Sequence, residues 1–229
     1  MTDTVGFVPI AHIRGGYTEK FGGPRQSGLT DGAEAVIIFE PPFRDANALR
    51  GIEGYSHLWL LWYFSGFAHE PGAFSPTVRP PRLGGNTRVG VFATRSPNRP
   101  NPIGLSSVRL LGVEKTAHDG TVLRIADADL IDGTPIFDIK PYLAFTDAHP
   151  DAVGGFAEKV KNHALAVHFD TDTAMLSPDA LSRLTSLIAA DPRPGYQRDD
   201  IREYGLSFEG CNVSFTVENG AARVKKIEK

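Results

Sequence analysis

Seven short runs rich in Val, Ile, Leu or aromatic residues occupy the first 145 positions: 6–13, 33–39, 57–64, 88–93, 106–114, 121–128 and 135–139. Each is bounded by turn-forming residues, and no long stretch of helical periodicity separates one from the next. Strands without intervening helices exclude βαβ units and a parallel sheet. The expected fold is therefore mainly β, with an antiparallel β-barrel over residues 1–150.

The pattern changes near Pro150. Residues 165–169 read as a strand. Ser177-Pro178 then opens a stretch with Leu181, Leu184, Leu187 and Ile188 at helical spacing, which Asp191-Pro192 ends. Runs at 212–217 and 222–227, joined through Asn219-Gly220, predict a β-hairpin with a tight turn. Residues 151–229 are thus expected to form a small α+β domain.

Charge is distributed unevenly. The chain carries a net charge of -3, which alone suggests no polyanionic partner, yet between Pro71 and Val113 there is no Asp, Glu or Lys. That segment holds Arg79, Arg82, Arg88, Arg95, Arg99 and Arg109. Guanidinium groups pair bidentately with phosphates and stack on bases, so the segment predicts an anionic ligand or nucleic acid. The alternative is pairing with carboxylates such as Asp127, Asp129 and Asp132. Pro76, Pro80, Pro81, Pro97, Pro100 and Pro102 stiffen the same stretch, which limits the entropy lost on binding.

Several chemistries are excluded. No G-x-G-x-x-G follows a strand and no G-x-x-x-x-G-K-[ST] occurs, so neither a dinucleotide fingerprint nor a P-loop is supported. Cys211 is the only cysteine, so no disulfide framework or cysteine-ligated zinc site is expected within one chain. No metal site is expected elsewhere. The longest apolar run, Leu58 to Phe64, is far short of the about 20 residues a membrane span needs. With no signal peptide evident at the N-terminus, a cytoplasmic protein is the simplest expectation.

Residues 77–106 read TVRPPRLGGNTRVGVFATRSPNRPNPIGLS, and residues 129–142 read DLIDGTPIFDIKPY. Together they resemble the two signature segments of the TsaA-like (TrmO) family. Further matches lie at Glu19-Lys20-Phe21, Pro24-Arg25-Gln26, 51–59 (GIEGYSHLW) and 191–196 (DPRPGY). The resemblance spans essentially the whole chain, including the C-terminal appendage of the bacterial branch.

It implies a β-barrel that binds S-adenosyl-L-methionine without a Rossmann fold. It also implies methylation of N6 of threonylcarbamoyl-adenosine at position 37, in the anticodon stem-loop of threonine-decoding tRNA, by a homodimer with the cofactor near the subunit interface. Carried over residue by residue, the cofactor contacts fall on Gln26, Ser27, Gly28, Phe64, Ser65, Arg95, Leu105, Leu130, Ile131, Asp132 and Gly133. Ser65 and Gly66 stand where relatives often carry larger or more polar residues, and 211–215 (CNVSF) replaces a more aromatic motif.

The reaction needs a base or hydrogen-bond acceptor, because the ureido carbonyl on N6 withdraws its lone pair. Asp132 and Asp138 are the candidates, Asp132 being placed close to the cofactor or target N6, with Lys140 and Tyr142 shaping the pocket. The alternative for Asp132-Gly133 is an ordinary turn, and for Asp138 a salt bridge to Lys140 is favoured. Arg82, Arg88 and Arg99 are expected to hold the RNA phosphates. Two rival functions share the fold: a non-enzymatic RNA-binding adaptor, and a methyltransferase acting on a small molecule.

Overall fold

The computed structural model describes residues 5–17, 27, 34–66, 75–80, 83, 87–160, 164–193 and 202–229. Its first part contains β1 (Ala11–Gly15), β2 (Glu34–Phe39), β3 (His57–Tyr63), β4 (Thr77–Val78), β5 (Val89–Gly90), β6 (Ile103–Thr116), β7 (Gly120–Ala126) and β8 (Pro135–Pro141). A short helix α1 (Ala144–Asp147) follows. Six of these strands pair in the order β1-β2-β7-β6-β3-β8, and β8 returns to β1 through Ala11–Ile136 and His12–Pro135, so the sheet closes into a barrel.

Alternation explains the barrel's interior. Along β3, Leu58, Leu60 and Trp62 are buried, while His57, Trp59, Leu61 and Tyr63 are only partly covered. On the facing stretch of β6, Gly104, Ser106 and Val108 point inward. Leu58, Leu60, Trp62 and Val108 form one apolar cluster with Ile13, Ile37, Leu123, Ile125, Leu130 and Ile136. The expected strand over 88–93 is cut short. Only Val89–Gly90 pairs, with β4, and Val91–Ala93 form a 3-10 turn whose Val91 side chain is buried.

Every strand pair in the barrel is antiparallel. The C-terminal ends of β1, β3 and β7 therefore lie at the same end as the N-terminal ends of β2, β6 and β8. Three connections emerge there: 16–33, 64–102 and 127–134. The opposite end carries 40–56, the β6–β7 turn and the exit past Pro141. This sorting decides which sequence candidates meet.

The remaining strands are β9 (Ala166–Phe169), β10 (Glu203–Phe208), β11 (Cys211–Glu218) and β12 (Ala221–Glu228), with helix α2 (Pro178–Ala189) between β9 and β10. They form a sheet in the order β10-β11-β12-β9, in which β9 runs parallel to β12. The Ser177 side chain caps α2 by accepting from the Ala180 N–H at 3.2 Å, and Pro178 occupies the first turn. Ala180, Leu184, Leu187 and Ile188 form the buried stripe of α2 against this sheet. Asn219 and Gly220 both adopt positive φ, as a tight hairpin turn between β11 and β12 requires. Among the described residues no helix is long and apolar enough to cross a membrane.

Candidate active site at the barrel mouth

The mouth is built first by backbone. Gly15 and Gly16, at the end of β1, both take positive φ, and a Cβ on Gly16 would stand 2.9 Å from the Leu130 carbonyl oxygen. Only glycine permits that conformation together with that approach. Tyr17 then runs beside Ile131. Its carbonyl accepts from the Asp132 N–H at 2.8 Å, and the Gly133 N–H donates to the Ile13 carbonyl at 2.8 Å. Gly133 also has positive φ, and Thr134 closes the turn by donating its hydroxyl to the Ile131 carbonyl at 2.6 Å.

Asp132 does sit in this turn. Its Oδ1 accepts from the Gly15 N–H at 2.8 Å, and the residue is exposed. One carboxylate oxygen thus ties two connections together while the group still faces solvent.

A second carboxylate lies deeper. The Trp62 indole N–H donates to Ser106 Oγ at 2.9 Å, and the Ser106 hydroxyl donates to Asp129 Oδ1 at 2.5 Å. The Ser27 backbone N–H also donates to Asp129, and the Arg95 guanidinium lies close enough to act on its charge. Burial pushes the Asp129 carboxyl above the usual carboxylate range, opposed by the Ser106, Ser27 and Arg95 interactions. From the sequence alone Asp129 stands only as a possible arginine partner. The clue available was its position between two apolar residues, Ala128 and Leu130, both of which are buried.

The carried-over candidates converge on this end. Phe64 packs its ring 4.2 Å from that of Trp62 and donates its N–H to the Pro102 carbonyl. Ser65 follows in a turn, with its N–H donated to the Tyr63 carbonyl. Leu105 follows the buried Gly104 and leaves 52% of its surface exposed. Ser27, Arg95 and 130–133 complete the set. Gln26 and Gly28 lie outside the described residues.

The arginines play different parts. Arg99 donates to the carbonyls of Val91 (3.1 Å) and Thr94 (2.6 Å), so this guanidinium braces its own loop, and its buried Nε has no hydrogen-bond partner among the described residues. Arg88 is exposed and donates to Thr77 Oγ1. Arg109 pairs with Asp127 at 3.0 Å, the carboxylate pairing weighed as the alternative. Arg82 lies outside the described residues.

Two candidates are not brought together with Asp132 in one chain. Lys140 pairs with Asp138 at 2.8 Å, the salt bridge that was favoured. Tyr142 lies past the end of β8, its ring 5.4 Å from that of Trp59 and 6.2 Å from that of His57. Strand β8 separates it from the Asp132 turn by about 20 Å at some 3.3 Å per residue. Nearby, Asp147 is held below the usual carboxylate range by the Leu143 N–H and the Trp59 indole N–H.

Comparison with known proteins gives this mouth a context. Residues 12–148 match the tRNA-methyltransferase O N-terminal domain, and residues 162–229 match the TrmO C-terminal domain. The chain is 40% identical to a tRNA (adenine(37)-N6)-methyltransferase of Escherichia coli K12, with 97% of each chain covered. It is likewise 40% identical to a putative S-adenosylmethionine-dependent methyltransferase of Pseudomonas aeruginosa, over 90% of this chain and 89% of that one. A crystal structure of TrmO from Pseudomonas aeruginosa superposes with a TM-score of 0.78 at 32% identity, covering 99% of this chain and 98% of the other. With both of its parts matched and full-length relatives at this identity, the chain belongs to the tRNA-methyltransferase O family.

Proposed function

We propose that this protein is an S-adenosyl-L-methionine-dependent tRNA methyltransferase that modifies N6 of the adenine at position 37, with threonylcarbamoyl-adenosine in threonine-decoding tRNA as its substrate. The observation that carries the reading is the convergence of Ser27, Phe64, Arg95, Leu105 and the 130–133 turn at one barrel end, in a chain of this family.

The residues present fit the methyl donor. Leu105 offers exposed apolar surface and Phe64 an aromatic ring, which suit a purine. Arg95 provides a guanidinium for an amino-acid carboxylate. The glycines at 15, 16 and 133 let backbone approach a ligand closely. Gln26, Gly28, Ser65 and Ile131 complete the donor contacts in this reading. Bound there, S-adenosylmethionine supplies an electrophilic methyl group for in-line displacement by the adenine N6.

The chain's own task is alignment and handling of the N6 proton. Fixing donor and acceptor in a near-attack arrangement removes several kcal/mol from the barrier. Asp132, exposed at the mouth, is the acceptor for that proton. Arg88 and Arg82 hold phosphates of the anticodon loop, and Arg99 keeps their loop in shape. The separation of Lys140 and Tyr142 from the mouth supports a homodimer in which these residues serve the partner's site. Phe7, 62% exposed, stacks near Phe137, which lies near Tyr63, and with Leu105 they give the barrel an apolar outer face for that contact. Two domains, one per apolar core, complete the reading, and the protein acts in the cytoplasm.

Mass spectrometry of tRNA nucleosides from cells with and without the gene tests the reaction. Loss of methylated threonylcarbamoyl-adenosine on deletion is expected. An unchanged nucleoside profile would refute the substrate assignment.

Asp132 is tested by a pair of variants. Asp132→Asn keeps an oxygen for the Gly15 N–H but removes the charge, so the turn persists while transfer under single-turnover conditions falls about 100-fold or more. Asp132→Ala also loses the tie to Gly15 and destabilises the fold by about 1 kcal/mol. Full single-turnover activity in Asp132→Asn would reduce Asp132 to a turn residue.

A further inference from the structure

The network under the mouth has a direction. An indole N–H can only donate, so Ser106 Oγ receives the Trp62 proton and must turn its own proton toward Asp129. Ser106 is 1% exposed, with the apolar side chains of Trp62 and Val108 beside it in the barrel wall. A buried hydroxyl there is stabilised only if both of its bonds are made. The chain of donors therefore ends on Asp129 Oδ1, fixed from the barrel wall.

From that anchored position the carboxylate reaches the two connections on either side. It accepts the Ser27 N–H from the 16–33 connection and sits beside Arg95 of the 64–102 connection, while its own backbone belongs to the 127–134 connection. The three segments that frame the mouth meet at this one side chain. Its neighbours Ala128 and Leu130 are packed into the core, so the backbone has no freedom to withdraw it. Burial works against the ionised carboxyl, a cost that a serine–tryptophan pair alone does not require.

We infer that Asp129 is a positioning residue for methyl-donor binding: through Ser106 below and Ser27 and Arg95 above, it sets the places of the donor contacts without itself touching the reacting atoms. The inference rests on the donor reading given under Proposed function. It differs from the role given to Asp132, which faces solvent and acts on the substrate. Asp129 acts on the order of the empty site, so its removal weakens donor binding and leaves the chemical step largely intact.

The test uses the full-length protein, with S-adenosylmethionine as the probe. Binding is measured by calorimetry, and backbone amide exchange at Ser27 is followed without ligand. Asp129→Asn is expected to raise the donor Kd by about ten- to a hundredfold, as removal of a group that only orients others does. The KM for the donor rises by a similar factor, while kcat at saturating donor stays within about threefold. Ser27 amide exchange accelerates in the same variant. Ser106→Ala, which unties the carboxylate from below, produces the same pattern at smaller size and carries the test should an Asp129 variant fail to fold. Wild-type protein that binds the donor, alongside Asp129→Asn with unchanged Kd and unchanged Ser27 exchange, overturns this inference alone. Wild-type protein that does not bind the donor overturns the donor reading and this inference together.

Discussion

Replacing Gly104 with alanine is expected to destabilise the barrel by about 3 kcal/mol or more and to weaken the proposed methyl-donor site with it. Gly104 stands directly opposite Trp62 in the β3–β6 ladder. A Cβ built on it would overlap the six-membered ring of the indole. The indole has nowhere to go. Its N–H is held by Ser106 at 2.9 Å, its ring centre lies 4.2 Å from that of Phe64, and only 7% of the residue is exposed.

Retreat would break the bond to Ser106 and release Asp129, adding about 1–3 kcal/mol for a buried polar group left unpaired. Retreat of β3 is blocked as well, because Trp62 also pairs with Ile136 of β8 on the strand's other edge. Against a typical total stability of about 5–15 kcal/mol, such a loss leaves a fraction of the chain unfolded. Urea denaturation followed by tryptophan fluorescence measures it. Trp62→Phe in the Gly104→Ala background frees space and recovers part of the loss, a coupling that a double-mutant cycle reads directly. Alanine at 104 with wild-type stability would show that the indole is less confined than its contacts indicate.

Much of the fold was legible because local rules and tertiary demands agree. The alternation in 57–63 follows from a strand with one buried face, and Ser177-Pro178 and Asn219-Gly220 act through their own backbone geometry. Strand β10 escaped notice because Gly205 and Ser207 interrupt its apolar pattern, although Tyr204, Leu206 and Phe208 alternate inward once β11 is beside it. The start of β6 was missed for a related reason. Gly104 reads as a turn residue in isolation, and its real cause is the tryptophan opposite. At the mouth, family resemblance supplied the residues, but only strand pairing could show that Tyr142 lies a strand length from Asp132. Nor could spacing reveal Asp129, whose partners Ser106 and Ser27 are 23 and 102 positions away.

Phe215→Ala is expected to cost about 3–5 kcal/mol, all of it in the C-terminal core. Phe215 is fully buried at the centre of β11, its ring 5.7 Å from that of Tyr204, in a cluster with Leu184, Ile188 and Val224. None of the residues in that cluster belongs to the barrel's core. Two cores without shared members predict two unfolding transitions, of which the variant lowers one. Calorimetry with added S-adenosylmethionine identifies the other, because a ligand that binds only folded barrel raises that transition alone. Tyr17 is a partly buried hydrophobic of the barrel segment that packs against the C-terminal cluster, and its backbone holds the 130–132 turn. Because the two cores share no residue, the barrel midpoint is expected to move little in Phe215→Ala. A single transition that shifts as a whole would overturn the division into two domains and would make the C-terminal sheet a structural part of the proposed methyl-donor site.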